Sequence, residues 1–327
     1  MRARRVPTLL LTFVLPAFAG VCGGSGGDKP PTYSPVSATV AGTIYTLQLG
    51  DLKMVVDGAR GARITEFSLF QKNALVTRDQ NSSNYGSTYW PSPQSSWCTA
   101  GGGCWPPPAA VDSQAYTGTI DDALNSIQLT SAAASIGGIA ESAITVSKTL
   151  TPAPDSGAID VTYTLTNTSP TVAVSVAPWQ ISRVAPGGLT LFGAGSVPVT
   201  YTSDSDPTFV LSEGAGDVWY ASAAVNHNSK AFADGTGWLA QVTPDRLLLV
   251  QSYTDIAATD AAPGEAEIEV FTNGDYVEIE DQGALTTVAP GATLTWTVRW
   301  KLRRAPGGTP AAGDGQLAAL VSATLAE

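Results

Sequence analysis

Apolar and polar side chains alternate along this chain from about residue 40 to residue 303, and this alternation constrains the fold most strongly. In "AIDVTYTLTN" the apolar positions run from Ile159 to Leu165 in steps of two, and "ATLTWTVRWKL" repeats the pattern from Leu294 to Leu302. A period of two is typical of antiparallel strands with one buried face. The segment "GWLAQVTPDRLLLVQSY" predicts a hairpin that turns through Thr243-Pro244-Asp245.

The same chain lacks the patterns of other large folds. Strands do not alternate with helices, which argues against a parallel α/β fold, and no repeat of about 20–50 residues suggests a propeller or solenoid. The one convincing helix is "GQLAALVSATLAE", with Asp314 as its N-cap and an apolar face of Leu317, Leu320, Val321 and Leu325. We therefore predict an all-β fold, a large antiparallel sandwich in one domain, followed by a short C-terminal helix.

The N-terminus has the pattern of an export signal. A basic start, "MRARR", precedes an apolar run from Val6 to Val21 that is too short and too interrupted by proline to span a bilayer comfortably. Cleavage after Ala17-Phe18-Ala19 would release a secreted protein, whereas Cys22 followed by a Gly/Ser spacer is typical of a lipidated bacterial lipoprotein. We predict an exported, periplasmic or cell-envelope protein, whose membrane contact is limited to this anchor.

These patterns define four segments. We assign residues 1–21 to the signal peptide and residues 22–38 to a flexible tether. The sandwich domain is predicted over 39–304, and a linker with the C-terminal helix over 305–327.

The stretch "YWPSPQSSWCTAGGGCWPPP" (89–108) concentrates three of the eight tryptophans, five prolines and two of the three cysteines. Proline excludes a central strand, and tryptophan is foreign to disordered linkers. We predict an ordered loop closed by a Cys98–Cys104 disulfide across a glycine-rich segment. Two cysteines and one histidine are too few ligands for a zinc site.

The net charge of the chain restricts the classes of partner that it can bind. Asp and Glu number 28 against 17 Lys and Arg, a net charge of −11, so the surface repels nucleic acid and anionic lipid. No phosphate-binding glycine loop is present, and we predict no cofactor.

Carboxylates concentrate in the hairpin "EAEIEVFTNGDYVEIEDQG" (265–283). A two-residue turn at Asn273-Gly274 would place Glu269 opposite Glu278 and Glu267 opposite Glu280. Opposed like charges destabilise a sheet, so a compensating group is expected. One interpretation is a solvated face relieved by Arg299 or Lys301. The other is a site that holds a proton, a polyhydroxy ligand or a calcium ion, with a raised carboxyl pKa.

Several segments resemble the galactose mutarotase-like (aldose 1-epimerase-like) superfamily. "YVEIEDQGALTTVAPGATLTWTVRWKL" (276–302) is similar to the C-terminal end of these epimerases. Four further segments more closely resemble an uncharacterised bacterial exported domain family of that superfamily: "YGSTYWPSPQSSW", "WPPP", "NTSPTVAVSVAPWQISRVAPGGL" and "KAFADGTGWLA". The resemblance covers about residues 40–304 and implies a β-supersandwich that binds carbohydrate.

The resemblance implies that Glu280, in "IEDQ", is the general base of an epimerase. The family's general acid is a histidine on a central strand, but the comparable strand "SVAPWQISRV" has none. Of the substitutes Glu278, Lys230 and Arg183, only Glu278 is a proton donor with a suitable pKa. The single histidine, His227, falls in a loop, where a surface position is the alternative to a site role.

Aromatic and polar residues complete the predicted substrate site. Trp90, Gln94, Trp97 and Trp105 would form a wall against which a sugar's apolar face stacks, with Trp179 beside it. The alternative is that these tryptophans form a small satellite core. Arg183 would hold a sugar carboxylate or hydroxyls, or else a structural ion pair, and Lys230 is either a site residue or a solvated one.

We therefore predict a carbohydrate-binding protein that acts on a sugar or sugar acid near its anomeric carbon, with Glu280 as base. The alternatives are a glycan-binding envelope lipoprotein without catalysis and a purely structural envelope domain.

Overall fold

The predicted alternation produces two large antiparallel sheets. The computed structural model describes residues 29–98, 103–136, 143–214, 216–222 and 227–327, and residues 31–327 form one compact unit. The strands in this part of the chain are β1 (Val36–Ala41), β2 (Ile44–Leu49), β3 (Leu52–Asp57), β4 (Arg63–Leu69), β5 (Lys72–Asn73), β6 (Ser87–Ser92), β7 (Thr117–Asp121), β8 (Ser126–Thr130), β9 (Ile144–Ala153), β10 (Ala158–Asn167), β11 (Val174–Val184), β12 (Leu189–Gly193), β13 (Thr200–Tyr201), β14 (Ser212–Gly214), β15 (Asp217–Ala221), β16 (Ser229–Ala233), β17 (Trp238–Val242), β18 (Leu247–Ser252), β19 (Ile268–Thr272), β20 (Val277–Gln282), β21 (Thr286–Val288) and β22 (Thr293–Arg304).

The first sheet has twelve strands in the order β1-β2-β3-β4-β6-β11-β20-β19-β16-β13, with β5 beside β4 and β21 beside β11. The second has ten, in the order β14-β15-β12-β17-β18-β22-β10-β9-β8-β7. Apolar side chains from both sheets form one continuous buried core. The predicted all-β sandwich is therefore confirmed.

Strands β10 and β22, which contain the two alternating segments quoted from the sequence, contribute buried side chains to this core. Ile159, Val161 and Tyr163 of β10 are buried, as are Val298 and Trp300 of β22, which pairs with it. The hairpin predicted through Thr243-Pro244-Asp245 is also confirmed, because β17 and β18 pair on either side of it.

The acidic hairpin departs from its predicted register by two residues. Thr272 pairs with Val277, so four residues rather than two form the loop. The side chain of Asn273 accepts a hydrogen bond from the backbone N–H of Asp275, which stabilises the longer turn. Because a shift of two keeps each residue on its face, the carboxylates stay together, but Glu269 now lies opposite Glu280.

Two α-helices lie outside the sheets in the described residues. The short α1 (Ala109–Asp112) follows the tryptophan-rich loop, and α2 (Gly315–Ala326) ends the chain. Asp314 accepts hydrogen bonds from the backbone of Gln316 and Leu317, which confirms it as the N-cap. Apolar side chains of α2 pack on the second sheet, in a cluster that includes Leu317, Val321, Leu189 and Leu248.

The predictions for the N-terminal region concern residues that lie largely outside the described part of the chain. These are the signal peptide (1–21), the lipidation site Cys22 and most of the tether (22–38). Strand β1 begins at Val36, within the range predicted for the tether. Within the described residues, no helix combines the length and hydropathy that crossing a membrane requires.

Candidate functional site

Five adjacent central strands of the first sheet carry a polar and aromatic set on the face turned away from the core. Cross-strand pairing aligns Trp90, Trp179 and Gln282 in one row, and Ile181, Glu280 and Glu269 in the next. A third row joins Arg183, Glu278 and Phe271, and continues to Lys230 on β16. Sheet register, not sequence proximity, therefore assembles the site.

Lys230 bridges the two carboxylates that β19 and β20 place opposite each other. Its Nζ lies 2.5 Å from Oε2 of Glu269 and 3.3 Å from Oε2 of Glu280. The side chain of Lys230 is 19% exposed, whereas Glu269 and Glu280 are fully buried as residues. The compensating group that the opposed like charges require is thus a lysine from a third strand.

Neutral donors complete the hydrogen bonding of this pair. Trp179 donates from Nε1 to Oε2 of Glu280 at 2.9 Å. Gln282 Nε2 and the backbone N–H of Ala266 donate to Oε1 of Glu269, at 2.7 and 3.0 Å. Within the described part of the chain, no donor reaches the buried Oε1 of Glu280.

Burial shifts the protonation of these groups. It raises the pKa of Glu280 to about 8 and that of Glu269 to about 7, against the opposing attraction of Lys230. Burial alone would lower the pKa of Lys230, but the attraction of Glu269 and Glu280 outweighs burial and raises this pKa above its ordinary value. Lys230 is therefore a fixed cation, and the two carboxyls are the groups that can hold a proton near neutral pH.

Arg183 of β11 forms a second buried ion pair, with Glu278, which lies two residues before Glu280 on β20. Its Nε lies 2.9 Å from Oε1 of Glu278, and a terminal guanidinium nitrogen donates to Thr88 Oγ1 at 3.1 Å. The guanidinium also lies 5.3 Å from the ring centroid of Trp90. The guanidinium is thus engaged by the chain itself rather than held open for a sugar carboxylate.

Three of the four clustered tryptophans are packed against one another. Trp90, Trp97 and Trp179 are buried with Ile181, and Trp97 stacks on Trp179 with ring centroids 5.9 Å apart. Trp105 lies edge-on to Trp90 at 5.4 Å and remains 57% exposed. Only Trp105 of this set presents a broad face to solvent.

The prediction that the whole of 89–108 is a loop is wrong for its first four residues. Residues 89–92 belong to the central strand β6, in which Pro91 lies opposite Pro178 of β11 and does not end the pairing.

Hydrogen bonds fix the tryptophan-rich segment to its surroundings. Trp90 donates from Nε1 to Asp112 of α1 at 2.7 Å, and Trp97 donates to the carbonyl of Pro91 at 2.7 Å. The backbone N–H of Gln94 donates to Oε1 of Glu265 at 2.8 Å. The predicted Cys98–Cys104 disulfide is present and closes the loop.

Three residues that the sequence suggested as members or neighbours of the site lie outside it. His227 is exposed, and its Nε2 lies 2.6 Å from the carbonyl oxygen of Asp204. The suggestion that Arg299 or Lys301 relieves the acidic face is wrong. Arg299 pairs with Asp160 at 2.7 Å, and Lys301 donates to the carbonyl of Thr324 at 2.6 Å, because both belong to the other sheet.

Other residues of the site were not singled out from the sequence. Gln282 and Glu265 were missed, and Glu269 was noted only as a member of the acidic face. The "IEDQ" segment contained the signal for Gln282, since an amide two residues after Glu280 shares its face. As for the calcium hypothesis, the described residues contain no group of three or more His, Cys, Asp or Glu side chains arranged to hold a metal ion.

Solved structures share this architecture. A galactose mutarotase-like protein from Lactobacillus casei matches with 12% identity and a TM-score of 0.53, over 80% of this chain and 100% of its own. The fold is that of the galactose mutarotase-like proteins. Another mutarotase-like protein, from Clostridium acetobutylicum, has 9% identity and a TM-score of 0.52, over 82% of this chain and 98% of its own.

A galactose mutarotase related enzyme from Lactobacillus acidophilus gives a TM-score of 0.54 at 8% identity, over 82% of this chain and 100% of its own. No protein-family model and no curated protein sequence matches this chain. At such identities the mutarotase-like likeness establishes the fold, and the site must be judged from its own residues.

Proposed function

We propose that this protein binds a carbohydrate on the outer face of its first sheet, at the exposed border between Trp105 and Glu265. The supporting observation is the combination, in a mutarotase-like fold, of packed aromatic rings with buried carboxylates held by Lys230. Aromatic faces stack on the apolar side of a sugar, and carboxylate and amide oxygens accept hydrogen bonds from its hydroxyl groups. Trp105, Gln94, Glu265 and part of the Lys230 side chain are accessible to solvent in this region.

Binding without catalysis agrees best with the geometry. Catalysed mutarotation needs a base and an acid in contact with the sugar. Glu280 is fully buried, and one of its oxygens is held by Trp179 and Lys230. Its neighbour Glu278 is paired with Arg183. Neither carboxyl is therefore free to approach a substrate in this conformation.

The test is a binding measurement with the purified protein and a panel of mono- and oligosaccharides. Trp105→Ala removes the exposed ring and is expected to weaken binding by about three- to tenfold, the worth of one aromatic contact. Leu124→Ala is the matched control, because Leu124 is 64% exposed and lies in the second sheet's β7–β8 turn. Absence of binding across the panel, or equal loss in both variants, would contradict the proposal.

A second candidate is an aldose 1-epimerase with Glu280 as its base. Burial raises the pKa of Glu280 to about 8, and its Oε1 accepts no hydrogen bond from the described residues, as a group poised for proton transfer would. Polarimetry of freshly dissolved aldoses separates the candidates. We expect mutarotation no faster than in buffer; acceleration that Glu280→Gln abolishes would instead establish the epimerase.

A further inference from the structure

Strand β1 (Val36–Ala41) is the longest of the four strands that end the two sheets, and it ends the first sheet. It pairs with β2 over all six of its residues without a bulge. In the part of the chain that the structure describes, the backbone of β1 bonds to no strand or loop other than β2, although β7 lies nearby. Alternate residues of β1 therefore direct unpaired N–H and C=O groups away from the sheet.

The other three end strands have features that prevent sheets from associating edge to edge. Strands β13 and β14 are only two and three residues long, and β7 ends at Asp121, which Asp122 follows. Short strands and charged side chains protect an edge, as do bulges and prolines within the strand. Strand β1 has none of these features, and residues 30–50 contain no Asp, Glu, Lys, Arg or His. The edge at β1 is therefore open to pairing.

One core-facing side chain of β1 is also left uncovered. Val36, Ala38 and Val40 share one face of the strand, and the first two pack against the buried core. Val40 is instead 50% exposed, and Tyr45, which lies opposite it on β2, is only partly buried. A further strand alongside β1 would extend the core-facing layer over Val40.

The charge and the symmetry of this edge favour a second copy of the chain as the added strand. Each copy has a net charge of −11, so two copies repel each other least where their surfaces carry no charge. Two identical strands can pair antiparallel about a two-fold axis, which makes the contact self-complementary. Because paired residues share a face, pairing about Ala38 places Val40 of one copy opposite Val36 of the other.

We propose that two copies of this protein associate by antiparallel pairing of their β1 strands, which joins their first sheets into one. A strand of this length is about 20 Å long, so the contact is smaller than a standard interface of about 1,200–2,000 Å². The dimer is accordingly weak and reversible, with an expected dissociation constant on the order of 10–100 µM. It is independent of carbohydrate binding.

Sedimentation equilibrium of the purified protein between about 5 and 300 µM tests the association. The apparent mass is expected to rise toward that of two chains, and added salt should not dissociate the dimer, because salt screens the repulsion between acidic copies. Val40→Lys places a charge on the edge and should weaken association at least about tenfold. Val210→Lys makes the same exchange at a valine that is 60% exposed and precedes β14, and should leave association unchanged.

Hydrogen exchange of the unaltered protein locates the contact. Exchange in peptides that cover β1 is expected to slow severalfold between the lowest and the highest concentration, with no change in β14. Association that Val40→Lys does not weaken, or that leaves exchange in β1 unchanged, would place the interface elsewhere and contradict the proposal. The mass of a single chain at every concentration would reject the dimer. Slow exchange in β1 of that single chain would show that the chain covers its own edge.

Discussion

Replacing Lys230 with methionine is expected to lower the free energy of unfolding by at least about 3 kcal/mol near neutral pH. The substitution leaves Glu269 and Glu280 facing each other across β19 and β20, both fully buried and without their cation. Removing one partner of a buried ion pair is costly because the remaining charge is desolvated and unpaired. Denaturant unfolding followed by circular dichroism measures the effect.

Two further variants make this result specific. Lys53→Met removes a lysine from a partly exposed pair with Glu66 at 2.8 Å, where a loss below about 1 kcal/mol is expected. Adding Glu269→Gln and Glu280→Gln to Lys230→Met should recover much of the lost stability, because no buried charge then remains in the pair. Equal losses for Lys230→Met and Lys53→Met would show that the buried carboxylates do not depend on Lys230.

Melting temperature is expected to fall by at least about 5 °C between pH 5 and pH 7, contrary to ordinary acid denaturation. Burial raises the folded-state pKa of Glu267 and Glu269 to about 7 and of Glu280 to about 8, above the ordinary value of 4.5. Between these limits the folded protein holds more protons than the unfolded chain. Stability is therefore fully present below about pH 4.5 and is lost as the pH rises through the folded values.

The upper limit of this window is set by a different buried group. Burial lowers the pKa of Lys148 to about 7, so above that pH its contribution increases stability and opposes the carboxyls. Thermal melts by calorimetry from pH 5 to pH 7 test the carboxyls, and Glu280→Gln should give a shallower slope. A melting temperature that is constant or rises over this range would contradict the assignment.

The fold was predictable because long strands such as "AIDVTYTLTN" carry a period-two pattern, and because Asp314 caps the last helix by a local interaction. The site was less predictable. The observed hairpin register differs by two residues from the predicted one, because the Asn273 side chain stabilises a four-residue loop. The dipeptide Asn-Gly alone does not distinguish this loop from a two-residue turn. Even so, the carboxylates kept a common face, since the period of a strand is two.

Partners from distant strands could not be predicted from the sequence. Lys230 meets Glu280 only because β16, β19 and β20 are neighbours in the sheet, and nothing local in the sequence encodes that order. For the same reason Arg299 was a mistaken candidate: its strand belongs to the opposite sheet. The tryptophan-rich segment was predicted to be an ordered loop, but Trp90 lies on strand β6, and Trp90 and Trp97 are buried together with Trp179 of β11.

The indole cluster gives the protein an intrinsic optical reporter. Trp90, Trp97, Trp105 and Trp179 have neighbouring ring centroids 5.3–6.2 Å apart, close enough for their electronic transitions to couple as excitons. Coupled chromophores respond strongly to small changes in mutual orientation. We therefore expect these indoles to contribute to the near-ultraviolet dichroism, so that a molecule that tilts one of the rings changes the spectrum without any attached label.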